Sequence, residues 1–92
     1  MILSKSIDKR RLIDLISVGK ATIKDLELLG ITKVHQLKSK DPQKLYDELC
    51  EITGSQHDIC CLDVFKAAVE QAKDPDLSRD KCNWWYWSKQ RK

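Results

Sequence analysis

Apolar residues in this chain recur mostly at intervals of three and four, the spacing that lines one face of an α-helix. Leu12, Leu15 and Ile16 open the pattern after Ser6, a good N-cap. A first helix is therefore predicted from Ile7 to about Leu15, with Lys9, Arg10 and Asp14 outside. Ser17-Val18-Gly19 interrupts it, and a second helix is predicted from Lys20 to Leu29, ended by Gly30 where a left-handed residue is wanted. The two make a tight hairpin over residues 7–30. Thr32 is expected to cap a short helical turn through Val34 and Leu37. Asp41 as N-cap, Pro42 in first position and Gly54 past the end bracket a helix over 42–53, with Leu45, Leu49 and Ile52 inward. Asp58 is expected to cap a core helix from Ile59 to Lys73. Ile59, Leu62, Phe65, Val69 and Ala72 form its apolar stripe, and Asp63, Lys66, Glu70 and Lys73 lie opposite. Pro75 stops that helix, Ser78 opens a last short turn, and Trp84-Trp85-Tyr86-Trp87 leads into a basic tail. No segment alternates as a strand does, so the expected fold is all-α, with about five helices.

Length and charge refine this outline. A chain of 92 residues and 10.7 kDa supports one compact domain spanning residues 1–92. At that size it hides only about 60 to 65% of its unfolded surface, too little to enclose a deep catalytic pocket. The net charge of +3 is uninformative until it is divided along the chain. Residues 1–46 carry ten basic and five acidic groups, residues 47–78 two and eight, and residues 79–92 five and one. Two basic ends thus flank an acidic middle. Charge at Asp8 to Arg11 replaces the apolar run of a signal peptide, and no window is apolar enough to span a membrane. The expected location is the cytoplasm, where Cys50, Cys60, Cys61 and Cys82 stay reduced.

The hairpin turn has a definite chemistry. Gly19 stands immediately before a helix start, where the first amide N–H groups lack partners within the helix and carry the positive end of its dipole. Lys20 and Lys24 lie one turn apart on neighbouring surface. Ser17, Val18, Gly19, Lys20 and Lys24 together are the candidate set for holding a nucleic-acid phosphate without reading a base. The plainer alternative is an ordinary turn, with Val18 closing the core and the lysines solvated.

These residues resemble a helix-hairpin-helix motif, whose usual turn is Gly, apolar, Gly after a frequent Pro. In this chain Ile16 stands for the Pro, Ser17 for the first Gly, and Ile23 where a small Ala is common. Further on, Asp41-Pro42, Thr53-Gly54, Asp58, Cys60, Asp63-Val64-Phe65, Ala67-Ala68-Val69 and Trp84-Trp85-Tyr86-Trp87 occur in order. In that order they are similar to a small bacterial family named for a pathogenicity locus, also labelled mitomycin-resistance proteins. The resemblance spans roughly residues 10–88. It implies an all-α domain of the SAM-like kind and, by analogy, weak sequence-independent DNA binding linked to DNA repair or damage resistance.

Other chemistry is less well founded. Cys50, His57, Cys60, Cys61 and Cys82 contain no Cys-x-x-Cys pair, so core packing is favoured over zinc, and no metal or other cofactor is expected. Cys60 or Cys61 with His57 lacks an orienting group, so the chain is not expected to be an enzyme. For the terminal aromatics, one reading has Trp84 and Trp85 sealing the core. The other has Trp85 and Trp87 contacting bases or a protein partner beside Lys81, Lys89, Arg91 and Lys92. Two functions follow from these features. The first is weak binding to the DNA backbone, and the second is a non-catalytic interaction or homodimerisation module of SAM-like architecture.

Overall fold

The structure is a computed structural model that describes residues 10–90. Regular structure among these residues is helical throughout. A single 3-10 turn, Leu12–Asp14, precedes α1 (Lys20–Leu28), α2 (Val34–Leu37), α3 (Pro42–Thr53), α4 (Ile59–Lys73), α5 (Arg79–Cys82) and α6 (Trp84–Gln90). Ser6 to Lys9, Arg91 and Lys92, which carry the expected first cap and the end of the basic tail, lie outside the described residues.

Punctuation in the sequence sets α3 and α4. The Asp41 carboxylate accepts the Gln43 N–H at 2.9 Å, Pro42 occupies the first position, and Gly54 takes φ 68° to stop α3. α4 is the hub, packing against α2, α3, α5 and α6. Enclosure from several sides explains why two of its faces are dry. The expected stripe from Leu62 through Phe65, Val69 and Ala72 is buried, and so is a second row, Asp63, Ala67 and Gln71. Asp63 was expected outside but is 0% exposed and partnered, because neighbouring helices cover the face that a one-sided pattern assigned to solvent. Conversely, Ile52 is 55% exposed, and Ile59 is exposed as well. Both flank the 54–58 connection, beyond Leu49 and Leu62, the nearest buried positions on their helices.

The first helix is corrected. Arg11 and Leu15 are extended, at ψ 159° and 139°, and only the 3-10 turn stands between them. The Asp14 carboxylate accepts the Arg11 N–H at 2.8 Å, closing that turn locally. Two steps later, the backbone groups of Ile16 are both taken by Gln71 and cannot continue a helix. Leu12 and Leu15 are buried as expected, whereas Ile16 is exposed. In α2 the cap is also different. Gln36 reaches back to accept the N–H groups of Thr32 and Lys33, each at 2.8 Å, in place of a Thr32 hydroxyl cap.

The aromatic end holds the last correction. Trp84 to Gln90 form a helix that no apolar periodicity announces, and it packs along α4. Trp84 and Trp85, which one of the two readings had sealing the core, are the exposed pair, while Tyr86 and Trp87 are half-buried. Position on α6 decides this, since adjacent residues on a helix point about 100° apart.

Candidate functional site

The turn from Ser17 to Gly19 is built by contacts from distant parts of the chain. Ser17 takes φ 73°, a left-handed conformation that a non-glycine residue adopts at a cost. Gly19 is extended, at φ −107° and ψ −174°, so the backbone freedom expected of Gly19 is exercised at Ser17 instead. Val18 is buried and anchors the turn between them. No side chain caps α1, and nothing lies within 4 Å of the place a Cβ would occupy on Gly19. Among the described residues, the N-cap position of α1 thus has room for a side chain and holds none. Lys20 and Lys24 are exposed one turn apart on the same helix.

Two side chains invisible to local pattern hold this turn in place. Gln71 Oε1 accepts the Ile16 N–H at 2.9 Å, and its Nε2 donates to the Ile16 carbonyl at 2.8 Å, a paired contact like one rung of a β-ladder. The same amide nitrogen lies 3.2 Å from the Ala67 carbonyl and 3.4 Å from that of Cys82. Arg10 Nη1 donates to the Gln71 carbonyl at 2.9 Å, tying the start of the described chain to the last turn of α4. Neither residue has a sequence signature for these roles. Gln71 lies between Ala67-Ala68-Val69 and Ala72, and its burial is the only retrospective sign.

The turn also meets the aromatic helix. Ser17 Oγ accepts the Trp84 N–H at 3.0 Å, so a residue of the turn caps α6 across 67 positions of sequence. Trp84 and Trp85 are 38% and 41% exposed. Lys89 Nζ sits 5.2 Å from the centre of the Trp85 ring, within cation–π range. Trp87 is engaged in the fold. Its indole N–H donates to the Lys81 carbonyl at 2.8 Å, and its ring meets Tyr86 edge-on at 5.0 Å. Ile13 and Ile16 are further exposed apolar residues, the latter adjacent to Ser17.

Elsewhere the polar side chains serve packing. The Tyr46 hydroxyl donates to the His57 carbonyl, His57 Nε2 lies 2.9 Å from Thr53 Oγ1, and the His57 N–H points to Cys50 Sγ at 3.5 Å. Burial first, and then the neighbouring Asp25, Cys50 and Asp58, push the Cys61 thiol up to about 11. A thiol held neutral in this way is a poor nucleophile. An open cleft of about 740 Å³ along α3 is lined by Asp47, Glu48 and Glu51 among others, a setting that repels anions. No group of three His, Cys, Asp or Glu among the described residues is placed to hold a metal ion. No helix among them is long and apolar enough to cross a membrane.

Architecture and surface together define a small all-α protein in which a basic turn and a tryptophan-bearing helix meet. The chain belongs to the Pathogenicity locus family, whose pattern matches residues 6–92. It is similar to the mitomycin resistance protein McrB of Streptomyces lavendulae, with 33% identity over 87 residues that cover 95% of this chain and 79% of that protein. No solved structure matches.

Proposed function

We propose that this protein is a non-catalytic binder of the DNA backbone, contacting phosphates through the turn from Ser17 to Lys20, with Lys24 adding charge. One observation carries it: the N-cap of α1, Gly19, brings no capping side chain and leaves room where a Cβ would stand, beside two exposed lysines. Uncapped helix amides and the helix dipole favour an anion there. Two or three phosphate contacts imply a salt slope of only about −2 to −3, so binding is weak and independent of sequence. The likeness to a protein named for mitomycin resistance supports a setting in resistance to DNA damage.

Fluorescence polarisation with a labelled duplex, titrated from low to moderate salt, tests this reading. Lys20→Glu with Lys24→Glu is expected to lower affinity by about tenfold or more, since each reversal removes an attraction and adds a repulsion. Binding indifferent to both changes, or absent at low salt, refutes it. A second reading, a protein-interaction or homodimer module, is favoured by the exposed Ile13, Ile16, Trp84 and Trp85. It predicts concentration-dependent association in sedimentation that survives the lysine changes.

A further inference from the structure

Two features that the sequence separates by more than sixty residues are one surface in the fold. The bond from the Trp84 N–H to Ser17 Oγ fixes the start of α6 against the turn. Gly19 is only two residues beyond Ser17, so its Cα lies no more than about 7.6 Å from that of Ser17. The start of α1 and the start of α6, where Trp84 and Trp85 are exposed, are therefore neighbours, within the reach of a few nucleotides. Lys20 and Lys24 are exposed on α1, and Lys89 stands over the Trp85 ring on α6.

We propose that this surface binds single-stranded nucleic acid, with a base stacked on Trp85 while a neighbouring phosphate sits at the Gly19 to Lys20 amides. This rests on the phosphate-binding reading of the turn and narrows its substrate to strands whose bases are unpaired. A duplex presents phosphates but hides the faces of its bases, so it uses only half of the site. A single strand offers both, and every base has a π-face, which keeps recognition independent of sequence. Exposed indoles next to lysines are complementary to that chemistry, because the ring takes the base and the ammonium takes the phosphate. Lys89 stands over one face of the Trp85 ring, so a base that stacks on that face displaces the ammonium, which is then free to meet the neighbouring phosphate. Trp87 has no part in binding, since its ring and indole N–H are engaged within the fold. The acidic cleft of α3 gives the strand no competing path.

The test is equilibrium binding of a labelled oligothymidine and a blunt duplex of equal length at matched salt. The full chain is compared with Trp85→Ala, Trp85→Phe and the Lys20→Glu, Lys24→Glu double variant, each checked for helicity by circular dichroism. Expected results are preference for the single strand, a loss of about fivefold to a hundredfold in single-strand affinity for Trp85→Ala, and substantial rescue by Trp85→Phe. Duplex affinity should be unchanged by either Trp85 substitution, and quenching of tryptophan fluorescence by the strand should fall with Trp85→Ala. Equal affinity for both forms, sensitive to the lysines but not to Trp85, overturns the stacking site and leaves backbone binding standing. Single-strand binding that needs Trp85 but ignores the lysines overturns the joint surface and the turn together. Binding to neither form, with or without self-association in sedimentation, also overturns both.

Discussion

Ser17 sits in a left-handed conformation that costs a non-glycine residue about 1 to 2 kcal/mol, yet its hydroxyl serves as the cap of α6. The two effects oppose each other and are of similar size. Ser17→Gly should relieve strain and lose the cap, leaving stability within about 0.5 kcal/mol of the parent, whereas Ser17→Ala keeps the strain and loses the cap, at a cost of about 1 kcal/mol or more. Urea unfolding of the three proteins gives that order directly. Gln71→Ala should be worse, about 2 to 4 kcal/mol, because it strands both backbone groups of Ile16. Titration adds a further expectation. The Cys61 thiol is raised from 9.0 to about 11, so its contribution to stability is complete below about pH 9 and is lost as pH rises towards about 11. Tyr46, raised by burial and then by Cys50, and Cys82, raised by burial, act with the same sign. Cys61→Ala should therefore flatten part of the alkaline decline in the guanidinium midpoint, and an unchanged decline would remove Cys61 from it. Neither Ser17 nor Gln71 was legible in its role, since each acts through a partner more than fifty residues away. Local spacing placed the special backbone at Gly19 because glycine is the usual occupant of such geometry, and it had no means of weighing a distant cap.

At the level of elements, α3 and α4 were legible almost to the residue because Asp41-Pro42, Gly54 and Pro75 delimit them chemically, whereas Asp58 stands at the start of α4 without the capping bond expected of its carboxylate. The first helix and α6 were not. The former gives way to contacts with Gln71, and the latter consists of bulky aromatics that carry no apolar period. α1 offers a prediction in which stability and binding part company. Gly19 already has the extended geometry of an N-cap and space for a side chain, so Gly19→Asp should cap α1 without strain. Gain in stability should be about a few tenths of a kcal/mol, while the new carboxylate occupies the position proposed for phosphate. Thermal melting should rise slightly and oligonucleotide affinity should collapse. Retained affinity would show that the start of α1 is not the contact. On α6 the two indoles should also behave differently. Trp87→Ala should cost about 2 to 3 kcal/mol and Trp85→Ala less than about 1, because Trp87 is half-buried and its indole N–H is bonded within the fold, whereas Trp85 is exposed, with the surface ammonium of Lys89 over its ring.

Over the whole molecule, the mild net charge conceals a polar layout that the sequence did show. The turn next to Lys20 and Lys24 meets the helix that carries Lys89, and the acidic residues of α3 line a cleft of their own. Amide shifts on adding oligothymidine should therefore move for residues 17–24 and 84–89 and stay still for residues 47–51. Shifts centred on the cleft would reverse the proposed orientation. What the sequence could not show was that the Ser17 turn and the start of α6 are adjacent, because adjacency is a property of α4 and the helices docked around it.

The bond between Ser17 and Trp84 closes a loop of 67 positions, which makes the turn a product of the completed fold. Loops of this length close late, since their entropy is recovered only after the intervening helices have packed. The residues from Ser17 to Lys24, cut out and grafted onto another scaffold, would carry the motif's letters without its shape. The peptide should be inert towards nucleic acid, and a newly synthesised chain should gain its binding surface only when its last helix docks.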